Sequence, residues 1–154
     1  MRLVVAVVGK ARNQALGEAI REYETRAARY WPLDVHEVRE ERAAGMSLDK
    51  VKEREGIRLA EKIPERARTV ACEMGGKSLD SAQFAEFLQS AREQDRDLAF
   101  LIGGAFGLSP TVSTRSTMKL SLAPWTLPHE IARLVLVEQI YRAGTIVRGE
   151  PYHK

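Results

Sequence analysis

The fold is decided by residues 100–110, which spell FLIGGAFGLSP, an apolar run that ends in a cluster of glycines. Gly103, Gly104 and Gly107 fall within five residues of one another. Glycine is used where the backbone takes a positive φ or approaches another group closely. The stretch therefore predicts a buried strand that carries a ligand-binding loop at its carboxyl end. A sharp strand-to-helix turn is the alternative, and this stretch alone leaves both open.

The spacing of these glycines, G-G-x-x-G, differs from the common nucleotide-binding motifs. It matches neither the G-x-G-x-x-G dinucleotide fingerprint nor the G-x-x-x-x-G-K-[ST] phosphate loop, so both interpretations lose most of their support. Ser109 and Pro110 follow directly and suit the N-cap and the first position of a helix. The loop is therefore predicted to open onto a helix amino terminus, where backbone N–H groups can meet polar ligand atoms.

Apolar runs and helical periodicity alternate along the rest of the chain. Strands are predicted at residues 3–8, 33–38, 69–74, 98–102 and 118–122, and helices at about 13–30, 47–63, 81–91 and 129–143, with a further helix after Ser109. This alternation predicts an α/β fold with a mostly parallel sheet flanked by helices. Ligands bind outside the carboxyl ends of such strands. The candidate loops there are residues 74–77, 103–107 and 123–128.

Length and composition indicate one domain, residues 1–154, because 44% hydrophobic and 29% charged residues are ordinary for a globular chain. The longest apolar run, Leu3–Val8, is far shorter than the roughly 20 residues that cross a bilayer. The amino end also lacks the pattern of a signal peptide. We therefore expect a cytoplasmic protein that does not enter a membrane.

Metal chemistry and a strong general affinity for nucleic acid are not expected. Cys72 is the sole cysteine, and the three histidines lie far apart without the spacing of metal ligands. The formal charge is +3, from 24 basic and 21 acidic residues, without a concentrated basic stripe. If the substrate is RNA, little of the affinity is expected to come from the protein's own charge.

The last predicted helix is apolar on more than one face. Its apolar residues are Ile131, Leu134, Val135, Leu136, Val137, Ile140 and Tyr141. A helix of this kind must be buried on several sides, which in a small chain predicts a partner subunit.

Several motifs together carry a specific resemblance. They are residues 101–110, residues 120–122 with 126–129, residues 138–143, residues 151–153, and Gly76-Lys77. In this order they resemble the RlmH family of ribosomal large-subunit RNA methyltransferases, part of the SPOUT superfamily. The match covers essentially the whole chain, and motifs in the right order are far more specific than any one of them.

The resemblance implies a SPOUT-type fold with a C-terminal trefoil knot, which departs from the usual rule against threading. It implies a homodimer that uses S-adenosyl-L-methionine to methylate N3 of a pseudouridine in 23S rRNA. Because the net charge of +3 allows few phosphate contacts, we expect this RNA to be recognised on assembled ribosomes. Carried over by position, the cofactor-binding residues are Cys72, Gly103, Gly104, Gly107, Ala123, Pro124, Trp125, Thr126, Leu127 and Pro128. The donor needs only to be held in line with its target, with no metal and no covalent nucleophile.

Pseudouridine N3 carries a proton near neutral pH, so a base or a group that stabilises the developing anion should help. The catalytic candidates are His129, Arg142, Tyr152 and His153. His129 could instead point to water, and His153 could belong to a frayed terminus. Arg133, Arg142 and Arg148 could contact RNA phosphates or pair with Glu130, Glu138 or Glu150.

Two other functions stay open on the sequence alone. The same fold could act on another RNA, such as transfer RNA. A non-catalytic nucleotide-binding or ribosome-associated module would keep the loops without turnover.

Overall fold

A computed structural model describes residues 1–153, without the side chain of His153, and builds them around one five-stranded sheet. The strands are β1 (Leu3–Val8), β2 (Leu33–Val38), β3 (Arg68–Ser78), β4 (Leu98–Ile102) and β5 (Met118–Ser121). They lie in the order β2-β1-β4-β3-β5, and every neighbouring pair is parallel. The predicted α/β class is confirmed, and all five strands end at the same edge.

Four helices connect successive strands, a fifth follows β5, and together they cover both faces of the sheet. They are α1 (Gln14–Ala27), α2 (Leu48–Ala60), α3 (Ser81–Glu93), α4 (Pro110–Arg115) and α5 (His129–Val147), followed by a 3-10 turn at Pro151–His153. Side-chain oxygens cap the first four, because Asn13, Ser47, Asp80 and Ser109 each accept a hydrogen bond from the backbone N–H three residues on. These caps explain why the helices begin at these residues.

The two faces of the sheet form two parts of the core. Leu3, Val5 and Val7 of β1 face the larger part, while Ala6 and Val8 face the smaller part. Every residue of β1 and β4 is buried, as a strand between two helix layers must be.

Strand β3 is longer than predicted, because Gly75 and Gly76 do not end it. Cys72 and Lys77 both pair with Leu120 of β5, so the residues between them form a bulge that shifts the register. Gly75 takes a φ of +85° there. A Cβ on Gly76 would lie 2.7 Å from the backbone nitrogen of Leu120, so a side chain cannot be accommodated. The glycines serve the bulge, and the prediction that the strand ends at residue 74 and a loop follows at residues 74–77 was wrong.

Helix α5 is also longer than predicted and passes through Gly144 to Val147. A Cβ on Gly144 would lie 2.5 Å from Cβ of Tyr30, so glycine here allows the helix to pack closely against the end of α1. The indole N–H of Trp31 donates to the carbonyl of Ile140 at 3.0 Å. Much of the apolar surface of α5 is therefore covered within one chain.

A buried arginine fixes the start of α5 against its neighbours. Arg133 is only 6% exposed, and its guanidinium contacts Glu24 of α1 at 2.7 Å and Glu37 of β2 at 2.6 Å. These partners replace Glu130, the pairing that the sequence suggested. Arg133 is thus engaged in the fold and is not presented to RNA.

No helix within residues 1–153 is long and apolar enough to cross a membrane. The trefoil knot stays a prediction, because strand order and register define the sheet and not how one loop passes through another.

Candidate active site

A cleft of about 410 Å³ lies at the carboxyl edge of the sheet, and we call it the glycine-loop cleft. It is lined by β3 and β4 near their carboxyl ends, the loops that follow β4 and β5, and the start of α5. The lining residues are Cys72, Glu73, Met74, Ile102, Gly103, Gly104, Ala105, Phe106, Gly107, Leu108, Leu122, Ala123, Trp125, Thr126, Leu127, His129 and Ala132. Its volume falls within the roughly 300–1,000 Å³ of small-molecule sites.

The glycine loop is a tight turn as well as a wall of this cleft. The N–H of Gly107 donates to the carbonyl of Gly104 at 3.0 Å, and Gly107 takes a φ of +82°. A Cβ on Gly103 would lie 2.6 Å from the backbone nitrogen of Leu108, so the two arms of the turn touch. The two interpretations of the sequence are therefore compatible, because glycine builds the turn and the turn borders the cleft.

Gly104 has a different neighbour from the one that the sequence suggested. A Cβ on Gly104 would point away from the cleft, to 3.0 Å from both Oε2 of Glu55 and Cγ1 of Val8. Glu55 is only 4% exposed, and its Oε1 accepts the N–H of Glu41 at 3.0 Å. Its Oε2 is buried without a hydrogen-bond partner. Burial raises the pKa of Glu55, because it disfavours the charged form of the carboxyl group. This carboxyl group packs against the side of the turn that faces away from the cleft.

The walls of the cleft are mainly apolar, and its rim is unusually so. Met74, Phe106 and Trp125 are 66%, 44% and 69% exposed, although large apolar side chains are usually buried. The thiol of Cys72 lies in the wall, where burial raises its pKa to about 12. The thiol therefore stays protonated at neutral pH and acts as an apolar surface, not as a nucleophile.

Polar groups reach the cleft from two sides. Glu73 accepts the hydroxyl of Ser113 at 2.8 Å and lies 3.1 Å from Nζ of Lys119, so its charge is balanced. On the opposite side His129 has a buried Nε2 with no hydrogen-bond partner. The nearest carboxylate oxygen, Oε1 of Glu40, is 3.9 Å away, beyond hydrogen-bond distance. The alternative that His129 points into water is wrong.

Buried polar atoms in folded proteins nearly always have a partner, and an exception needs an explanation. The unpartnered Nε2 of His129 therefore marks this edge as a candidate functional site. A cleft of this size with mainly apolar walls can hold a small cofactor. Within the part of the chain that the structure describes, no three His, Cys, Asp or Glu side chains cluster as metal ligands do.

Two other catalytic candidates lie in a separate cluster. Arg142 pairs with Glu138 at 2.6 Å, and the hydroxyl of Tyr152 donates to the same carboxylate at 3.0 Å. The guanidinium of Arg142 also lies 4.8 Å from the ring centre of Tyr152. The bond to Glu138 raises the pKa of Arg142, and burial raises that of Tyr152, so both keep their protons.

The distance along α5 separates this cluster from the glycine-loop cleft. His129 and Arg142 are thirteen residues apart on one helix, which corresponds to about 20 Å. They cannot contact one reacting atom within a single subunit. The side chain of the fourth candidate, His153, lies outside the described residues.

The other predicted residues divide between the cleft and its surroundings. Of the predicted cofactor-binding residues, only Pro124 and Pro128 do not line the cleft, because they stiffen the loop from outside. Met74 and Phe106 also line the cleft and lie in the predicted ligand loops, whereas sequence reasoning missed Glu73. Arg148 stacks on the ring of Tyr30 instead of pairing with Glu150, whose carboxylate accepts the hydroxyl of Tyr30.

A parallel sheet whose carboxyl edge carries a small apolar cleft defines an α/β ligand-binding protein of the kind that holds a cofactor at strand ends. A family described as "Predicted SPOUT methyltransferase" matches residues 1–153. The chain belongs to this family of methyltransferases and, within it, to the RlmH family, as its relatives establish.

The relatives match over full length. A protein of Gemmatimonas aurantiaca called "Ribosomal RNA large subunit methyltransferase H" is 58% identical over 154 residues, covering 100% of both chains. A protein of Clostridium beijerinckii with the same name is 37% identical over 159 residues, again covering both chains fully. A crystal structure of a methylase family protein from Neisseria gonorrhoeae shares the fold, with a TM-score of 0.55, 12% identity, and coverage of 91% of this chain and 81% of that one.

The contact between Gly103 and Leu108 leads to a testable prediction about ligand binding in the cleft. Gly103→Ala must push the two arms of the turn apart, so we expect the affinity for S-adenosyl-L-methionine, measured by calorimetry, to fall about tenfold or more. Gly45→Ala is the control for a glycine substitution without a steric contact, because Gly45 has open space around it and lies in another loop. Equal donor affinity in wild type and Gly103→Ala would show that the turn does not shape the binding site.

The buried carboxyl of Glu55 makes a prediction about pH and stability. Its pKa is raised above the ordinary value of 4.5, so the protonated form stabilises the fold below that pH, and this contribution is lost as the pH rises through the folded-state pKa. Glu55→Gln removes the charge and keeps the acceptor for Glu41. We expect its melting temperature to rise by about 2–4 °C at pH 7.5, and not at pH 4.

Glu65→Gln, at an exposed loop position, is the matched control and should change the melting temperature little at either pH. A lower melting temperature for Glu55→Gln at pH 7.5 would show instead that the charged carboxylate stabilises the fold.

Proposed function

We propose that the protein transfers a methyl group from S-adenosyl-L-methionine to N3 of a pseudouridine in 23S rRNA of the large ribosomal subunit. The observation that carries this proposal is the apolar glycine-loop cleft with the unpartnered Nε2 of His129 at its side. Full-length similarity to proteins named as large-subunit rRNA methyltransferases supports the substrate class. Such an enzyme would act in the cytoplasm, where ribosomes are modified.

Different residues of the cleft would contact different parts of the methyl donor. Backbone of the glycine turn and of residues 123–127 would grip the polar edges of adenine, while Cys72, Ile102 and Leu122 would cover its faces. When bound, S-adenosyl-L-methionine supplies a methyl group activated by its sulfonium, which moves to a nucleophilic nitrogen as the carbon–sulfur bond breaks and a thioether leaves. The protein's part is to hold that bond in line with the target.

The target nitrogen must lose its proton during transfer, and His129 is the candidate to accept it. His129 lines the cleft, and its Nε2, which is buried, has no hydrogen-bond partner within the described chain. A turn of the imidazole toward the cleft would let this nitrogen take the N3 proton as the nitrogen–carbon bond forms. Removing a positioned general base typically slows the chemical step by about 10²–10⁴-fold.

Arg142 and Tyr152 can take part in methyl transfer only if two subunits together form the active site. Both groups keep their protons and carry donors, so they suit an oxyanion or a phosphate rather than the role of a base. Because Arg142 lies about 20 Å from His129 along α5 and Tyr152 packs against Arg142, they would serve the cleft of a partner subunit. We therefore include a homodimer in the proposed function, in which the tail at residues 151–154 helps to position the substrate.

The homodimer has a simple physical test. Residues such as Leu134 and Val135 of α5 are only half-buried in one chain, and an interface of about 800 Å² per partner would be ordinary. We expect sedimentation at micromolar concentration to give twice the 17.3 kDa of one chain. A monomer under these conditions would contradict the shared site.

The function is tested by transfer of a labelled methyl group to ribosomes that lack the modification, followed by mapping of the product nucleotide. We expect label at N3 of one pseudouridine, with protein-free 23S rRNA a much poorer substrate at equal salt. His129→Ala should lower kcat by about 10²–10⁴-fold and leave donor affinity nearly unchanged. His36→Ala, on strand β2, is the matched control and should retain activity.

Two outcomes would redirect the proposal. Label on transfer RNA and not on ribosomes would assign the same chemistry to another RNA. Donor binding without transfer to either RNA would favour a non-catalytic module.

A further inference from the structure

A second and wider cleft lies at the same edge of the sheet, above the ends of β1 and β2. We call it the β1–β2 cleft, and it is lined by residues 9–12 and 37–42. Its volume is about 1,290 Å³, roughly three times that of the glycine-loop cleft. A cleft of this breadth suits an extended polymer better than a small cofactor.

Within the described chain, the acidic residues of this cleft are all paired, whereas several of its basic residues are not. Each of its three acidic residues already has a basic partner. Glu37 contacts Arg133, Glu40 contacts Arg12 at 2.5 Å, and Glu41 contacts Arg58. Its carboxylates therefore add little free negative potential.

Three basic residues of the same cleft have no such partner. Lys10, Arg39 and Arg42 are exposed, and no carboxylate within residues 1–153 lies within ion-pair distance of their side chains. Two loops that are nearly thirty residues apart in sequence contribute them, which is why no basic stripe is visible in the sequence. The fold thus gathers three free cations at one edge, where they suit a row of phosphates.

The β1–β2 cleft meets the glycine-loop cleft at Gly9. A Cβ on Gly9 would lie 3.1 Å from Nε2 of His129, so only a bare backbone fits between the wide cleft and this histidine. Glu40, which lines the wide cleft, lies 3.9 Å from the same nitrogen. A polymer in the wide cleft would therefore pass directly beside the candidate base.

We propose that the β1–β2 cleft binds the sugar-phosphate backbone of the substrate RNA, with Lys10, Arg39 and Arg42 on its phosphates and the target base turned toward His129. This inference rests on the proposed function and adds where the substrate enters. Three phosphate contacts are few, so isolated RNA should bind weakly and a ribosomal particle should present the substrate.

The test is binding of the full-length protein to large ribosomal subunits that lack the modification, measured by cosedimentation over a range of salt concentrations. The variant carries Lys10→Ala, Arg39→Ala and Arg42→Ala. We expect its Kd at physiological salt to rise about tenfold or more and the salt slope to fall by about 2. Affinity for S-adenosyl-L-methionine and the melting temperature should match those of wild type.

The control variant carries Arg66→Ala, Arg68→Ala and Arg96→Ala. These three arginines are exposed and lie near the amino ends of β3 and β4, at the opposite edge of the sheet. The control removes the same amount of charge away from the cleft. It should therefore bind ribosomal subunits as wild type does. Wild-type affinity in the cleft variant, or an equal loss in the control, would overturn the inference.

The same assay separates this inference from the proposed function. If wild type binds subunits through the cleft and transfers no methyl group, the proposed function fails and the inference stands. If wild type methylates ribosomes and the cleft variant does so with an unchanged KM, the inference fails and the proposed function stands.

Discussion

The active edge of this protein depends on a close approach between two backbone segments after β4. Gly103 and Leu108 come so near that a single methyl group on Gly103 would separate them. The turn that results places the backbone of residues 103–107 along the cleft, together with β3 and the loop after β5. Because all five strands are parallel, every following loop arrives at this same edge. The site is therefore a consequence of strand direction and of a turn that only glycine permits.

Buried polar groups around this edge show where the protein departs from an ideal core. Glu55 lies behind the glycine turn with one unpartnered oxygen, and His129 borders the cleft with one unpartnered nitrogen. Each carries a free-energy cost of about 1–3 kcal/mol, which the rest of the fold must offset. Such groups cluster at functional sites more than elsewhere. By contrast Arg133, equally buried, has two carboxylate partners and serves the packing of α5.

Sequence patterns predicted the strands, the parallel sheet and most of the cleft, because these depend on local chemistry. The apolar runs of β1 and β4 and the cap at Ser109 fix those elements within a few residues. The bulge in β3 was missed because it depends on the register against β5, far along the chain. The approach of Glu40 to His129 and the gathering of Lys10 with Arg39 depend likewise on the order of the strands. The burial of Glu55 was hidden inside a helix that looks uniformly charged in the sequence.

The chemistry of Cys72 has a consequence for how this protein meets oxidants. With a pKa of about 12, only about one thiol in 10⁵ is ionised at pH 7. Oxidation and alkylation proceed through the thiolate, so both reactions are slow at this position even though the sulfur borders an open cleft. As the chain has no other cysteine, oxidation of a thiol at this cleft is expected to be slow at neutral pH.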